Sequence, residues 1–543
     1  MSTASPAASP APTESVATPT AQVPSMAAAP APPEPLTGAQ LVLGTIALSL
    51  ATFMNVLDSS IANVSIPAIA GDLGVSPGQG TWVITSFGVA NAISVPLTGW
   101  LTQRFGAVRL FTASVLLFVL SSWLCGLAPS LEMLVAGRVL QGLVAGPMIP
   151  LSQTLLLSSY PREKAGTALA LWGVTTLVAP VAGPLLGGFI TDNFSWPWIF
   201  YINIPVGLLA ALATWAIYAK RETATRHVPI DRIGLALLII GVGALQLMLD
   251  KGKELDWFES PLIVGLAVAA VVGIALLIAW ELTDAHPVVD LRLFARRNFA
   301  FGAIALSIAY GLFFGNVVLL PLWLQQYMGY TATAAGMALA PVGILAIVLT
   351  PLVGRKVTQW DPRWMSTAAF VGFAGVLWMR SGFTPQTDFW HILLPTLLQG
   401  AAMAFFFIPL TTLTLAGLPP ERMASASGLS NFVRITAGAV GTSIATTLWE
   451  SRAALHHAHL AEELALGDAP LAAATAQLTQ AGLSAQQALQ QINRLVDQQA
   501  FTRAADDIFL VSAGLFLVLI VMLWPMHRPA PMRGASADAS GAH

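Results

Sequence analysis

Two charged residues lie deep inside long apolar stretches of this sequence. Asp58 lies in a stretch that begins near Leu41, and Arg138 lies in another, close to Glu132. An ionisable group inside a bilayer costs at least about 2.5–3.5 kcal/mol, so each needs a partner or a function. Burial favours the neutral form of a carboxyl, and a nearby arginine favours the ionised form. Asp58 therefore has two interpretations: a proton carrier whose charge changes with conformation, or a member of a fixed ion pair or helix-end hydrogen-bonding group.

The expected depths of these two residues agree. Polar residues at helical spacing accompany Asp58 on its stretch: Thr45, Ser49, Thr52, Asn55 and Ser59. A helix that starts near Leu41 on one side of a membrane places Asp58 about 25 Å from that side. Arg138 belongs to a helix that starts from the other side and lies about 9 Å below that boundary. One network containing both residues is therefore expected in the same half of the bilayer.

A second set of candidates could line a substrate cavity. It comprises Asn55, Gln399, Phe406, Asn431 and Arg434. Arg434 has two interpretations. Its guanidinium faces an anionic ligand or Asn431, or its side chain extends to the membrane boundary so that the charge stays in water. Phe406, within a run of three phenylalanines, either lines an apolar cavity or packs against lipid or the core.

Small residues form one face of the fifth apolar stretch: Gly173, Pro180, Gly183, Pro184, Gly187 and Gly188. Gly183 and Gly187 have the G-x-x-x-G spacing that permits close helix approach. Taken alone, this face indicates packing more than function. The histidines His456, His457 and His459 have no cysteine nearby for a zinc site, so no metal is predicted.

Composition limits the class of protein. Only 10% of the 543 residues are charged, against about 25% in soluble domains, and 55% are hydrophobic. A soluble fold would leave large apolar patches in water, so a polytopic membrane protein is expected. The net charge is −2 without long basic runs, which gives no support for nucleic-acid binding. The single cysteine, Cys125, excludes an internal disulfide framework.

Apolar runs of about 20 residues, enough to cross a hydrocarbon layer of about 30 Å, predict fourteen spans. They lie at about 41–62, 80–101, 109–128, 132–155, 167–190, 198–218, 233–250, 261–282, 299–324, 335–354, 364–380, 391–416, 427–449 and 507–525. The predicted fold is an all-α membrane protein with two six-helix bundles and two inserted helices. Its regions are a disordered cytoplasmic tail 1–38, an N-terminal bundle 41–218, inserted helices 233–282, a C-terminal bundle 299–525 and a cytoplasmic tail 526–543.

Lysine and arginine in the connections set the orientation. With the amino terminus inside, cytoplasmic connections and tails hold 17 of the 25 basic residues. The outer connections hold Lys251, Lys253, Arg380 and three residues in the long segment 450–506. Both termini are therefore expected in the cytoplasm. Segment 450–506, 57 residues long, is expected to form amphipathic helices that stand off the outer membrane face.

The two predicted bundles resemble each other at a nearly constant offset. Pro96 and Pro351 are 255 residues apart, Gln141 and Gln399 are 258 apart, and further matches stay in register. Internal repeats of this kind are how many secondary transporters form a site at the repeat interface. The sequence contains no phosphate loop of the G-x-x-x-x-G-K-[ST] type, H-E-x-x-H motif or nucleophile elbow. An ion gradient is thus the expected energy source, and neither a cofactor nor an enzymatic activity is predicted.

Several motifs resemble those of the major facilitator superfamily. Gly99-Trp-Leu-Thr-Gln-Arg-Phe-Gly-Ala-Val-Arg109 resembles its loop signature, and Leu134-Val-Ala-Gly-Arg-Val-Leu-Gln-Gly142 resembles its fourth-helix motif. Ala179-Pro-Val-Ala-Gly-Pro-Leu-Leu-Gly-Gly188 resembles the fifth-helix motif typical of its antiporters. Leu57-Asp-Ser-Ser-Ile-Ala-Asn-Val64 resembles the first-helix motif of its fourteen-helix drug:proton antiporters. The resemblance covers about 41–525 and continues through 196–205, 249–257, 417–422 and 448–457.

This resemblance implies proton-coupled multidrug export of hydrophobic toxic compounds across the bacterial inner membrane. It also implies a periplasmic adaptor of the EmrA type and a TolC-like outer-membrane channel. By position in these motifs, the resemblance implies three roles. Asp58 and Arg138 would couple transport to protons. A helix bend would lie at Pro180, Gly183, Pro184 and Gly187, and a cytoplasmic gate loop would contain Gly99, Arg104, Gly106 and Arg109. Gln103 stands where the superfamily usually has an acidic residue, which removes the usual charge pair from that loop.

Two rival classes remain at this stage. An uptake symporter for a hydroxylated metabolite would need several polar groups in its spans, whereas these spans are rich in Phe, Leu and Met. A structural or pore-forming scaffold needs neither duplicated halves nor a buried Asp58. The duplicated halves and the buried Asp58 favour a transporter, and the apolar spans favour hydrophobic molecules as its substrates.

Overall fold

The computed structural model describes residues 34–161, 164–226, 229–284, 287–357, 359–466 and 468–528. Most of the predicted disordered tail 1–38, and residues 529–543 of the predicted C-terminal tail, lie outside this part of the chain. The chain divides into Met1–Glu34 and Pro35–His543, and the description below concerns the second unit.

The described residues form α-helices and short 3-10 turns, with no β-strand among them. The helices of the first half are α1 Gly38–Asp72, α2 Pro77–Gly80, α3 Trp82–Ser94, α4 Thr98–Phe105, α5 Ala107–Gly126, α6 Leu131–Ala145, α7 Met148–Ser159, α8 Ala165–Asn193, α9 Trp198–Tyr201 and α10 Asn203–Tyr218. The remaining helices are α11 Arg232–Lys251, α12 Pro261–Thr283, α13 Arg297–Gln326, α14 Ala332–Leu339, α15 Pro341–Lys356, α16 Pro362–Arg380, α17 Phe389–Leu415, α18 Pro420–Leu466, α19 Asp468–Gln480 and α20 Ala485–Leu523.

Each of the fourteen predicted spans falls on one of these helices or on a run of consecutive helices. Among the described residues, eleven helical segments are long and apolar enough to cross a membrane. The other three predicted spans coincide with α8, α16 and α18. The all-helical membrane fold is confirmed, and the count of fourteen crossings stays a prediction.

Proline or glycine accounts for several breaks within single crossings. The segment Trp82–Phe105 consists of α3, a 3-10 turn that contains Pro96, and α4. The segment Leu131–Ser159 divides into α6 and α7 at Gly146 and Pro147. Proline lacks a backbone N–H and clashes with the preceding turn, so the regular α-helical hydrogen bonds stop at these positions.

Two groups of helices bury separate hydrophobic clusters. One cluster, from Leu36 to Tyr218, joins residues of the first half, in which α1 packs against α7, α8 and α10. The other, from Ala305 to Met526, joins residues of the second half, in which α13 packs against α17, α18 and α20. The inserted helices α11 and α12 pack against each other, and α11 also contacts α3 and α18. The inserted pair therefore lies beside both halves.

The long segment 450–506 is a continuation of two spans. α18 has 47 residues, about 70 Å of helix, and α20 has 39 residues. Since about 30 Å suffices for the hydrocarbon layer, both helices extend well beyond it. Arg452 lies 2.6 Å from Asp507, and His457 lies 2.8 Å from Asp497, which ties the two extensions together. The segment is helical, as expected: α18 and α20 continue into it from the spans, and α19 lies between them. Its position outside the membrane stays a prediction.

Candidate functional site

Asp58 lies on α1 in the interior of the first half. Its carboxylate Oδ2 is 2.6 Å from Nη1 of Arg138, which α6 supplies, and neither side chain is exposed. The structure thus places the two charged residues in direct contact. An ion pair buried from water interacts far more strongly than one on a surface, but both groups lose their hydration.

Two amides complete the surroundings of the carboxylate. Gln141 on α6 and Asn203 at the start of α10 donate to Asp58 Oδ1 at 3.0 and 2.7 Å. Both amides also donate to Ser122 Oγ on α5, at 2.7 and 3.2 Å. Four helices, α1, α5, α6 and α10, therefore fix the position of one carboxyl group.

Arg138 has a second set of contacts that hold it beside Asp58. Its Nε donates to the backbone carbonyl of Val83 at 2.9 Å, and its Nη1 also donates to Gln141 Oε1 at 2.6 Å. The guanidinium lies 4.3 Å from the ring centre of Phe87 and 5.5 Å from that of Phe200, distances at which cation–π attraction operates. Its Nη2 has no hydrogen-bond partner among the described residues.

The hydrogen bonds of this arrangement depend on the charge of Asp58. With Asp58 ionised, the pair is neutral overall and its hydrogen bonds are well formed. With Asp58 protonated, the carboxyl no longer neutralises Arg138, and the hydrogen bonds must rearrange around an uncompensated cation. Proton uptake at this position is therefore expected to alter the packing of α1 against its neighbours.

The glycines of α8 bring that helix close to α1 beside Asp58. A Cβ atom on Gly183 would overlap Ser60 Oγ, and one on Gly187 would lie 2.9 Å from Cγ1 of Ile61. The G-x-x-x-G spacing is thus used for close approach to the helix that carries Asp58. Pro180 and Pro184 lie within α8, but their side chains are outside the described part of the structure.

We expect Gly183→Val to lower the free energy of unfolding by about 1–3 kcal/mol, because a larger side chain must push α8 away from α1. The matched control is Gly173→Val on the same helix, where an added Cβ would meet no described atom within 4 Å. Thermal unfolding of the purified variants measures the difference. Equal melting temperatures for the two variants would contradict the close α1–α8 contact.

The predicted gate loop joins α4 to α5 and contains an acidic partner that sequence reasoning missed. Gly106 has φ +87°, and a Cβ there would overlap the side chain of Glu222. The Glu222 carboxylate accepts the backbone N–H groups of Val108 and Arg109 at 3.0 and 2.9 Å. Glu222 therefore supplies an acidic group to this loop. The position where the superfamily usually has an acidic residue is occupied here by Gln103, which carries no charge. Arg104 lies 6.0 Å from the ring centre of Trp100.

The two halves touch at the end of the molecule where Arg104, Arg355 and Arg422 lie, here called the basic end. Gly99 on α4 packs on Ser425 of α18, with an ideal Cβ on Gly99 2.9 Å from the Ser425 Cβ. Nearby, Ser427 and Asn431 on α18 both donate to Gln153 Oε1 of α7. These contacts join the first half to the second at this end.

The five residues proposed for a substrate cavity lie in different surroundings. Asn55 donates to the carbonyl of Ala145 within the first half, and Phe406 is buried among the aromatic rings of the second. Arg434 donates to Asn431 Oδ1 and lies 4.7 Å from the ring centre of Tyr310. The structure brings Asn431 and Arg434 into direct contact, and gives Asn55 and Phe406 the other partners named above.

Gln399 accepts a hydrogen bond from Arg380, a residue that was expected in an outer connection. Arg380 is 1% exposed and donates to Gln399 Oε1 at 2.7 Å and to Thr396 Oγ1 at 3.2 Å. Arg380 is thus the buried last residue of α16 and, contrary to expectation, does not belong to an outer connection. Because it is the last residue of an apolar run, the sequence alone did not show that the helix end is covered by α17.

Gln141, Asn203 and Ser122 were also missed as members of the site. Gln141 and Asn203 lie in segments already singled out, 134–142 and 196–205, so a signal was present. Their amide side chains carry no charge and do not stand out in an apolar run. The contacts with Asp58 become visible only when α5, α6 and α10 are placed around α1.

Comparison with known proteins establishes the class. The Major Facilitator Superfamily model matches residues 48–442, and the chain belongs to this superfamily of multi-pass membrane transporters. It is 54% identical over 94% of its length to the multidrug export protein EmrB of Escherichia coli K12, of which it covers 99%. It is 51% identical over 90% of its length to the fatty acid resistance protein FarB of Neisseria gonorrhoeae, of which it covers 97%. The predicted resemblance to the superfamily is confirmed.

Solved structures agree with this fold. The human organic anion transporter MFSD10 has a TM-score of 0.56 at 14% identity, over 90% of this chain and 100% of its own. The proton:xylose symporter XylE, bound to 6-bromo-6-deoxy-D-glucose, has a TM-score of 0.56 at 15% identity, over 89% of this chain and 95% of its own. At such identities the likeness supports the fold alone.

Proposed function

We propose that the protein is a proton-coupled antiporter that exports hydrophobic drugs and other toxic compounds across the bacterial inner membrane. The observation that carries the proposal is Asp58, a fully buried carboxyl held by Arg138, Gln141 and Asn203. A fold that only needed stability would gain little from this pair, because buried ion pairs seldom stabilise more than apolar packing of the same volume. The likeness to multidrug export proteins supports the class of substrate.

In the proposed cycle, the charge state of Asp58 selects between two arrangements of the halves. Protonation removes the charge that neutralises Arg138, so the hydrogen bonds around α1 must change. The close contact of α1 with α8 at Gly183 passes this change to a helix that itself contacts α15 of the second half. Drug and proton then bind in alternation, and the gradient drives net export.

We further propose that the basic end faces the cytoplasm, as do both termini. The excess of basic residues in the connections at this end supports the orientation. Cytoplasmic loading of drug then requires the contacts of Gly99 with Ser425 and of Gln153 with Ser427 to separate. Residues Gly99, Arg104, Gly106 and Arg109 act in this scheme as the cytoplasmic gate loop.

The same orientation places the extensions of α18 and α20 in the periplasm. We propose that they contact a periplasmic adaptor of the EmrA type, which connects the transporter to a TolC-like outer-membrane channel. Exposed leucines on α20 support a protein contact there: Leu489 and Leu495 are 51% and 52% exposed. A connection between two helices needs only a few residues, so the length of the extensions also calls for a function.

Deletion of residues 462–491, with a short Gly-Ser joint, tests the adaptor contact. The deletion keeps the pairs of Arg452 with Asp507 and of His457 with Asp497, so the spans should remain folded. We expect pull-down of a co-expressed adaptor to fall at least tenfold, while the variant still transports in inside-out membrane vesicles, where no adaptor is needed. Full recovery of the adaptor with the deleted chain would exclude this contact.

Efflux from energised cells tests the proposed function as a whole. Cells that express the chain and its adaptor are loaded with a fluorescent hydrophobic compound, and export is followed before and after the proton gradient is collapsed. Export that stops on collapse supports proton coupling. Export that continues without a gradient would contradict it, and no export at all would contradict the substrate class or the direction.

A further inference from the structure

A large apolar cavity lies between the inserted helices and the second half. Its volume is about 1070 Å³, and α11, α12, α13, α18 and α20 all contribute to its wall. Representative lining residues from these helices are Leu238, Leu277, Gly311, Val440 and Leu515. Drug-sized ligands occupy pockets of about 300–1000 Å³ with mainly apolar walls, so the cavity has the size and character of a ligand site.

This cavity is separate from the residues described above. The Asp58 network belongs to α1, α5, α6 and α10, none of which contributes to the wall. Asn431 and Arg434 are on α18 but do not line the cavity, whose α18 wall is formed by neighbouring positions such as Phe432 and Val433.

Unsatisfied polar atoms mark the wall of the cavity. Oγ of Ser307, Oδ1 of Asn316 and Oγ1 of Thr436 are buried, and none has a hydrogen-bond partner within the described part of the chain. Ser307 and Asn316 are only 4% and 3% exposed. A buried polar atom without a partner is destabilising, and an acyl chain from the bilayer offers it no hydrogen bond. These atoms have almost no accessible surface as the side chains stand, so a ligand with its own polar group would satisfy them once the side chains rotate toward the cavity.

The type of unsatisfied atom defines the ligand further. Asn316 donates through Nδ2 to the carbonyl of Leu312 at 2.6 Å, so its free group is the amide oxygen, which accepts only. The charged residues of the wall, Arg452 and Asp507, are paired with each other at 2.6 Å, and Asp507 also contacts His456. The cavity thus favours an uncharged ligand with an N–H or O–H group.

The cavity also has a route of entry from the bilayer. Ile308 on α13, Ile444 on α18 and Val511 on α20 line it and are 43%, 52% and 63% exposed. These apolar side chains lie on helices that contain predicted membrane spans, so the open side of the cavity is expected to face lipid. A hydrophobic compound dissolved in the membrane can reach the cavity past them.

We propose that this cavity binds uncharged hydrophobic molecules that donate a hydrogen bond to Asn316, and that they enter from the bilayer between the inserted helices and the second half. The idea that the bound molecule is also a transported compound rests on the proposed function. Binding in the cavity does not depend on transport.

Binding of two matched fluorescent probes tests the proposal. N-phenyl-1-naphthylamine has one N–H donor, and its N-methyl derivative has none. Each is titrated into the full chain in nanodiscs of phosphatidylethanolamine and phosphatidylglycerol, with empty nanodiscs subtracted. We expect Ile308→Trp, which fills the cavity, to weaken saturable binding of both probes at least tenfold. The control is Ile304→Trp, one turn earlier on α13, 40% exposed and outside the wall, which should bind as the wild type does.

Asn316→Leu tests the hydrogen bond. We expect it to weaken the N–H probe about fivefold, as loss of one hydrogen bond predicts, and to leave the N-methyl probe unchanged. Equal effects on both probes would overturn the donor assignment. If Ile308→Trp binds both probes with wild-type affinity, the cavity is not their binding site, and lipid is its occupant.

These results are distinguishable from failure of the proposed function. The titration needs no proton gradient and no transport, so it measures binding by itself. If wild-type cells export nothing but Ile308→Trp still loses binding, the export proposal fails and the site stands. If wild-type cells export N-phenyl-1-naphthylamine and Ile308→Trp binds and exports it equally well, the site fails alone.

Discussion

Asp58→Asn is expected to abolish proton-driven export of a fluorescent hydrophobic compound while the protein remains folded. Asparagine keeps the shape of aspartate but has no proton to release, so it imitates the protonated state permanently. If protonation of Asp58 is part of the cycle, the protein must already tolerate a neutral group beside Arg138. Efflux from energised cells at matched expression measures the loss, which should exceed fiftyfold.

The matched control for this prediction is Asp72→Asn, at the last residue of the same helix. Asp72 accepts a hydrogen bond from Trp196 Nε1 at 2.7 Å and is exposed, so its substitution should leave most export intact. If Asp58 were only structural, Asp58→Asn would instead leave a buried cation unpaired and cost about 3–5 kcal/mol of stability. A poorly folded Asp58→Asn, or a folded one that exports normally, would contradict the proposed role.

A disulfide between positions 99 and 425 is expected to stop transport completely. An ideal Cβ on Gly99 lies 2.9 Å from that of Ser425, and disulfides need a Cβ separation of about 3.5–4.5 Å, so a small outward shift suffices. The bond would join α4 to α18 and keep the halves together at the basic end. We expect Gly99→Cys combined with Ser425→Cys to lose export under oxidation and regain it on reduction.

Single substitutions control for the effect of each cysteine. Gly99→Cys alone and Ser425→Cys alone cannot form this bond, so oxidation should not change their export. The native Cys125 is buried and can stay in place. Mass spectrometry of the intact chain measures the extent of cross-linking. Undiminished export by a fully cross-linked chain would show that these contacts need not separate.

The charged part of the site could be predicted from the sequence because charge is rare in this chain. Asp58 and Arg138 stand out in apolar runs, and counting residues along each helix placed them at similar depths. The amides Gln141 and Asn203 did not stand out, since an uncharged polar residue inside a span is common. Their roles depend on how four helices pack together, which periodicity does not specify.

The exposed loops and helix ends were harder to predict for a different reason. Glu222 lies more than a hundred residues from the loop that it stabilises, so nothing local indicated the contact. The extensions of α18 and α20 have polar sequences typical of a connection, yet both helices continue without a break from the predicted spans through them. Apolar composition identifies the part of a helix in lipid and says little about where that helix ends.

The internal repeat shows how the two halves differ in charge. At the offset of 258 that relates Gln141 to Gln399, Thr396 takes the position of Arg138 and Arg380 that of Ser122. Both halves thus bury one arginine against a glutamine, since Arg380 also donates to Gln399. Within the described residues, Arg380 has no salt-bridge partner, whereas Arg138 has Asp58. Of these two buried arginines, the one with an acidic partner therefore lies in the first half.

Counterflow of protons in proteoliposomes tests the central claim most directly. The purified chain is reconstituted with a pH-sensitive dye inside the vesicles, and a gradient of a transported hydrophobic compound is imposed without any proton gradient. Antiport predicts that the compound drives protons in the opposite direction with the wild-type chain and not with Asp58→Asn. Movement of the compound without proton counterflow, or equal counterflow with Asp58→Asn, would contradict the account.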